Sequence, residues 1–193
     1  MDSLFDLILD KDEHIVQTFK PNKTKLYFKN IFCYTVILLF FMLSAFACMF
    51  IPDETGSALK PIFVLIPISI FVILEIVLLV FLNMYYKKTF YAYTNKRIII
   101  RTGIIGVDFK SLDMNMIGAI DVYVSLLDKI IHKNTGTIRF GSMSSPISSQ
   151  SPNNYSFEHL TMPYENYKLI KSYIDEYKES KNINTNKKDI LNK

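Results

Sequence analysis

A chain of 193 residues with 22 Lys and Arg against 18 Asp and Glu carries a net charge of +4, too mild and too dispersed for the concentrated basic face that nucleic acid requires. Half of its residues are hydrophobic, and roughly a quarter of the chain is spent on two apolar runs, leaving enough for one small soluble domain. Cys33 and Cys48 both lie in the first run, about 22 Å apart on a helix and beyond the ~7 Å reach of a disulfide. They are expected to be buried apolar fillers that fix no redox compartment.

Residues 1–29 form an expected cytoplasmic segment. Its opening "SLFDLILD" places Ser3 and Asp6 at capping-box spacing among apolar residues, a short helix suited to the bilayer or to the soluble domain. "HIVQTFKP" follows, with the partial alternation of an extended stretch that ends at Pro21, though a helical continuation stays open.

From Asn30 to Pro52 no residue is charged, and about 20 such residues suffice to cross a hydrocarbon core. A second run, Pro61–Leu82, is interrupted only by Pro67 and Glu75. Spans near 30–51 and 61–82 therefore make a transmembrane hairpin over 30–84. The first run lies too far from the start for the apolar core of a cleavable signal, and no small-x-small site follows it, so both spans are expected to be retained.

Lys11, Lys20, Lys23, Lys25 and Lys29 precede the first span, and Lys87, Lys88, Lys96, Arg97 and Arg101 follow the second; the connection "DETGSALK" holds only Lys60. The positive-inside rule places both termini in the cytoplasm of an integral cell-membrane protein, with Tyr27, Phe28, Tyr85 and Tyr86 at the inner interface. Glu75 is the one ionisable group within a span; burying it charged is costly, so it is protonated, paired or facing a polar cavity. The nearest polar candidates on the first span are Tyr34, Thr35 and Ser44.

After Lys88 the pattern turns to strand chemistry. "TFYAYT" and "RIIIRTG" flank a tight "TNK" corner, with Asn95 suited to positive φ. "GVDFKSLD" reads as a strand with Val107, Phe109 and Leu112 on or near one face, and "MIGAIDVYVS" as another. "SLLDKII" fits one helical turn, while "TGTIRFGS" and "SFEHLTM" return to strand. In "PYENYKLIKSYIDEYKE" Pro163 suits a first turn, and Tyr167, Ile170, Ile174 and Tyr177 recur at helical spacing. The polar residues 181–193 are expected to be disordered.

Two spans, this strand order and a closing helix resemble the bacterial pleckstrin-homology-like membrane proteins of the YdbS/YdbT type. The similar features are "YTNKRIIIRTGII", "SLDMNMIGAIDVYVSLLDKII", "GTIRFGS" and "HLTMPYENYKLIKSYI", with "DEHIVQTFKP" upstream. The resemblance covers about Asp12 to Glu179. It implies an α+β membrane protein whose residues 85–180 form a PH-like antiparallel β domain, a bent sheet or partly open barrel capped by a C-terminal helix. This chain departs from the family in a longer, more polar "HKNTGT" and an expanded "SMSSPISSQSPNNYS".

No catalytic motif appears. His14, His132 and His159 have no metal-ligand spacing, no Ser sits in a nucleophile elbow, and no glycine loop cradles a phosphate. The expectation is a non-enzymatic, cofactor-free binding module that engages a protein partner, for instance along an exposed sheet edge, or self-associates. The alternative is an anionic-lipid sensor using the collar Lys87, Lys88, Lys96, Arg97 and Arg101. A further alternative is a proton-linked transport component using Glu75. The corner between "YAYT" and "RIII" is too short for a phosphoinositide cradle.

Overall fold

A computed structural model describes residues 4–49, 60–130, 134–142, 146–147 and 155–191. They fall into two compact units: Lys23–Lys87, and the residues up to Asn22 together with those from Lys88 onward. Along the chain run β1 (Ile15–Phe19), α1 (Lys23–Met49), α2 (Lys60–Lys88), β2 (Phe90–Thr94), β3 (Arg97–Thr102), β4 (Asp108–Asp113), β5 (Ala119–Tyr123), α3 (Leu126–Ile130), β6 (Thr135–Gly141), β7 (Ser156–Thr161) and α4 (Pro163–Leu191).

The helical unit is apolar on its outside: Leu39, Phe40, Leu43, Leu65 and Ile73 are all exposed. Two stretches, Lys23–Ser44 with mean hydropathy 1.8 and Leu65–Lys88 with 3.0, exceed the roughly 30 Å of a bilayer core at 1.5 Å per residue. Both helices are thus long and apolar enough to cross a membrane. Phe41 and Phe71 bring them together, with ring centroids 4.9 Å apart. α1 begins earlier than the expected 30 and α2 ends later than 82, because "KTKLYFK" and "NMYYKK" contain no Gly or Pro and each added residue gains a hydrogen bond. The expected end of the first span at 51 and the connecting loop lie outside the described residues.

In the other unit β1 precedes the helices yet pairs with β2. Its strands form two antiparallel sheets, ordered β1-β2-β3-β4 and β5-β6-β7, rather than a single bent sheet. The core between them contains Tyr91, Ile98, Ile100, Leu112, Ile138, Phe140, Phe157 and Leu160, closed by Ile170 and Ile174 of α4. Phe157 is its hub, stacked on Tyr91 at 5.0 Å, edge-on to Phe140 at 4.9 Å and tilted against Phe19 at 5.9 Å. The expected helical stripe is in place, with Tyr167 and Tyr177 packed beside Ile170 and Ile174.

The opposite face of the four-stranded sheet is covered too. Ala92 and Ile99 are buried beneath Phe5, with Leu4, Ile8, Leu9 and Phe109 around them, so the N-terminal turn packs on the β domain. This separates residues expected to share a face: Leu112 enters the main core, Phe109 the second cluster, and Val107 precedes the strand, 40% exposed. Phe109 and Leu112 are an odd number of residues apart, and side chains alternate with a period of two.

Turns and ends follow local chemistry. Ser125 and Asp128 cap α3 reciprocally: the Ser125 amide donates to Asp128 Oδ2 at 3.0 Å and the Asp128 amide to Ser125 Oγ at 3.3 Å. Among the described residues only His159 and Met162 are non-glycines with positive φ, so Asn95 does not take the left-handed conformation expected for it. Its side chain instead ties the corner to the N-terminal segment, accepting from the His14 amide at 3.1 Å and donating to the Asp12 carbonyl at 3.0 Å. α4 continues to Leu191, through most of the stretch expected to be disordered. Nothing between Pro163 and Leu191 breaks a helix: the stretch holds no Gly and no further Pro.

Gly103 needs its lack of a side chain. At φ +140° an added Cβ would lie 2.4 Å from the Gly106 carbonyl oxygen. Gly103→Ala is expected to cost about 2 kcal/mol in urea unfolding of the detergent-solubilised chain.

Candidate functional site

The first four strands sort the basic collar. Register pairs Phe90 with Arg101 and Arg101 with Phe109 at one end of the sheet, and Arg97 with Asp113 at the other. At 3.3 Å per residue, Arg97 and Arg101 stand about 13 Å apart along their strand. Both links to the helical unit, after Lys20 and at Lys88, leave from the Arg101 end. At that end Lys88 Nζ donates to the carbonyls of Ile104 (2.6 Å) and Ile105 (3.0 Å), and Arg101 donates to the Lys88 carbonyl at 3.3 Å. Lys20 and Arg101 both lie over the Phe90 ring, at 4.8 and 5.7 Å. Lys87 is exposed one residue before Lys88.

Lys96 and Arg97 occupy the far end, among acids. Arg97 grips the fully enclosed Glu13 carboxylate in bidentate fashion, Nε to Oε1 at 3.0 Å and Nη2 to Oε2 at 2.8 Å, and also donates to the Ile8 carbonyl at 2.6 Å. The Thr94 hydroxyl donates to Glu13 Oε1 at 2.6 Å while accepting the Arg97 amide at 3.0 Å. Lys96 lies 3.8 Å from Asp10. A cleft of about 280 Å³ here is lined by Asp10, Lys96, Arg97, Asp113, Tyr177 and Lys181 among others. Its opposed charges make it a poor anion cradle.

Burial pushes the Glu13 carboxyl up, but hydrogen bonds from Arg97, Thr94 and the Asp10 amide, with the Arg97 charge, outweigh it and hold the group below the usual carboxylate range. A depressed folded value gives stability that is complete above the unfolded value, about 4.3 for Glu, and lost as pH falls through the lower folded one. Thermal scans from pH 7 to pH 3 should therefore show a drop in midpoint beginning below about pH 4. Glu13→Gln should flatten the part of that drop that this carboxyl causes.

The second sheet offers a binding surface of another kind. β5 is an edge strand, hydrogen-bonded within its sheet to β6 alone, and α4 runs beside it. Between them lies an open groove of about 160 Å³ lined by Ile117, Gly118, Ile120, Tyr167, Lys171 and Asp175 with Ile174 and Lys178. Apolar Ile120 and Tyr167 are flanked by Lys171 and Asp175, while Lys178 donates to the Ile117 carbonyl at 2.5 Å and fixes one wall to the other. An edge strand presents unpaired main-chain donors and acceptors, and neighbouring side chains supply selectivity.

In the helical unit Glu75 is half-buried on α2 and has no hydrogen bond among the described residues. Thr35 and Ser44 donate to carbonyls of their own helix, Ile31 at 2.9 Å and Phe41 at 2.8 Å. Tyr34, Thr35 and Ser44 therefore do not supply the partner within one chain. Among the described residues no cluster of His, Cys, Asp or Glu suits a metal ion.

The family described as bacterial PH domain matches residues 36–176, from within α1 into α4. The chain belongs to the bacterial PH domain family. No curated relative and no solved structure matches it. Two features are not read from the sequence: the Glu13 partner of Arg97, 84 residues away, and the β5–α4 groove. A signal for the groove exists in the Lys171 and Asp175 that flank the apolar stripe of α4; for Glu13 there is none short of knowing that β1 joins the sheet.

Proposed function

We propose that the protein is a non-enzymatic, membrane-anchored binding module whose β5–α4 groove receives an extended segment of a protein partner or of a second copy. One observation carries the reading: an edge strand paired on a single side within its sheet lies beside an open groove in which Ile120 and Tyr167 are flanked by Lys171 and Asp175. The lysine-rich flanks of both helices and the sparse charge of their connection favour cytoplasmic termini. Anchoring confines domain and partner to the same surface, so a weak groove suffices through raised effective concentration.

A photo-crosslinking residue placed at Lys171, which lines the groove and is exposed, tests this in intact membranes. The expected result is one recurrent adduct, at twice the chain mass or at the mass of the chain plus one partner. The same residue at Glu176, exposed on another face of α4, should yield none. No adduct from Lys171, or equal adducts from both, would remove the groove from the account.

The alternative, an anionic-lipid contact, is favoured only by the end of the sheet that carries Lys20, Lys88 and Arg101. If it holds, Lys87→Glu weakens binding to anionic vesicles in a salt-dependent manner, whereas Lys96→Glu, at the far end, does not.

A further inference from the structure

We infer that the β3–β4 loop is a membrane-docking element, in which Ile105, with Ile104 and Val107, inserts into the interfacial region of the bilayer that the two apolar helices cross. Ile105 is 89% exposed, and Ile104 and Val107 are 37% and 40% exposed. Three aliphatic residues within four positions of one loop form a patch rather than scattered surface apolarity.

The loop is built rather than loose. Gly103 holds φ +140° against the Gly106 carbonyl, and the Lys88 ammonium clamps the carbonyls of Ile104 and Ile105 together. Lys88 is the last residue of α2 and of its membrane-length stretch. The loop carbonyls are hydrogen-bonded to the side chain of the residue at which the apolar helix ends, so the Ile105 side chain is confined to within a few residues' reach of the interface.

Register gives the same placement independently. The loop leaves the four-stranded sheet at the Phe90–Arg101–Phe109 end, from which both links to the apolar helices also depart. Lys20 and Arg101 accompany it there on Phe90, giving the basic-plus-aliphatic composition of interfacial anchors. Lipid is the occupant that this continuity selects, because Lys88, whose side chain holds the loop carbonyls, is also the last residue of the membrane-length stretch.

The inference rests on the reading of α1 and α2 as spans and is independent of the groove. Full-length chain with Cys33→Ala and Cys48→Ala is given one cysteine, carrying an environment-sensitive fluorophore, at Ile105→Cys, Lys96→Cys or Val77→Cys. It is reconstituted in phosphatidylcholine–phosphatidylglycerol vesicles with or without lipid bearing a quencher near the top of the acyl chain. The probe at 105 should lose about half of its emission to the lipid quencher, as expected for a side chain at interfacial depth, while the probe at 96 loses almost none.

Quenching at 77 without quenching at 105 would leave the spans intact and overturn the loop proposal. Absence of quenching at both would overturn the spans and the loop together. Equal quenching at 105 and 96 would refute a specific docking element. A probe at 105 that is shielded from water yet untouched by lipid quencher would assign the patch to protein, and that too overturns the proposal. Since Ile105 is so exposed, its replacement leaves the fold unperturbed.

Discussion

Phe157→Ala is expected to destabilise the β unit by about 4 kcal/mol, the usual range for a fully buried Phe truncated in a core. The ring has no exposed surface and touches Tyr91, Phe140 and Phe19. Those three residues belong to β2, β6 and β1, so a single truncation loosens both sheets at once. A domain of this size has roughly 5–15 kcal/mol of total stability, and much of it would be lost. Urea unfolding of the detergent-solubilised chain, followed by near-ultraviolet circular dichroism of the tyrosines, measures the change; a loss below about 1 kcal/mol would mean that the aromatic hub is not the centre of the core. Phe157→Leu, which keeps most of the volume, should cost less than half as much.

Glu13→Ala is expected to cost about 3 kcal/mol at pH 7, because it strands the Arg97 guanidinium, which is 20% exposed, without its bidentate carboxylate. The loss is mainly the penalty of an unpaired charge. Replacing both partners, Glu13→Leu with Arg97→Met, should therefore recover most of it, and additive losses would contradict that origin. Near pH 3 the difference between wild type and Glu13→Gln should shrink, since protonation of Glu13 removes the same charge.

Features encoded by local composition were legible in the chain. The two apolar runs, the strand pairs around "TNK", the Pro163 start of α4 and its Ile170–Ile174 stripe all have signals within a few residues, and each lies where the pattern placed it. What remained hidden depends on partners distant in sequence. Chain proximity groups Arg97 with Lys96 and Arg101, yet a strand separates its ends by several residues and Glu13 claims the guanidinium. β1 was readable as extended, but nothing near it indicates that its partner lies beyond both apolar helices.

The candidate surfaces divide in the same way. Val107, Phe109 and Leu112 read as one face, yet Phe109 and Leu112 are three residues apart on a strand of period two, so Leu112 enters the main core and Phe109 the second cluster. The groove requires β5 and α4 to be adjacent, a tertiary fact that periodicity on either element cannot supply. α4 runs on beyond Glu179 because a polar sequence without breakers extends an existing helix at little cost.

The central claim is that two membrane-crossing helices hold the β domain at the inner face. Single cysteines at Ser57, in the connection between the helices, and at Lys193, introduced as Ser57→Cys and Lys193→Cys in the Cys33→Ala, Cys48→Ala chain, report sidedness in intact cells through a membrane-impermeant maleimide. The account predicts labelling at position 57 before permeabilisation and at position 193 only afterwards. Labelling of both positions together, or of 193 alone in intact cells, would contradict it.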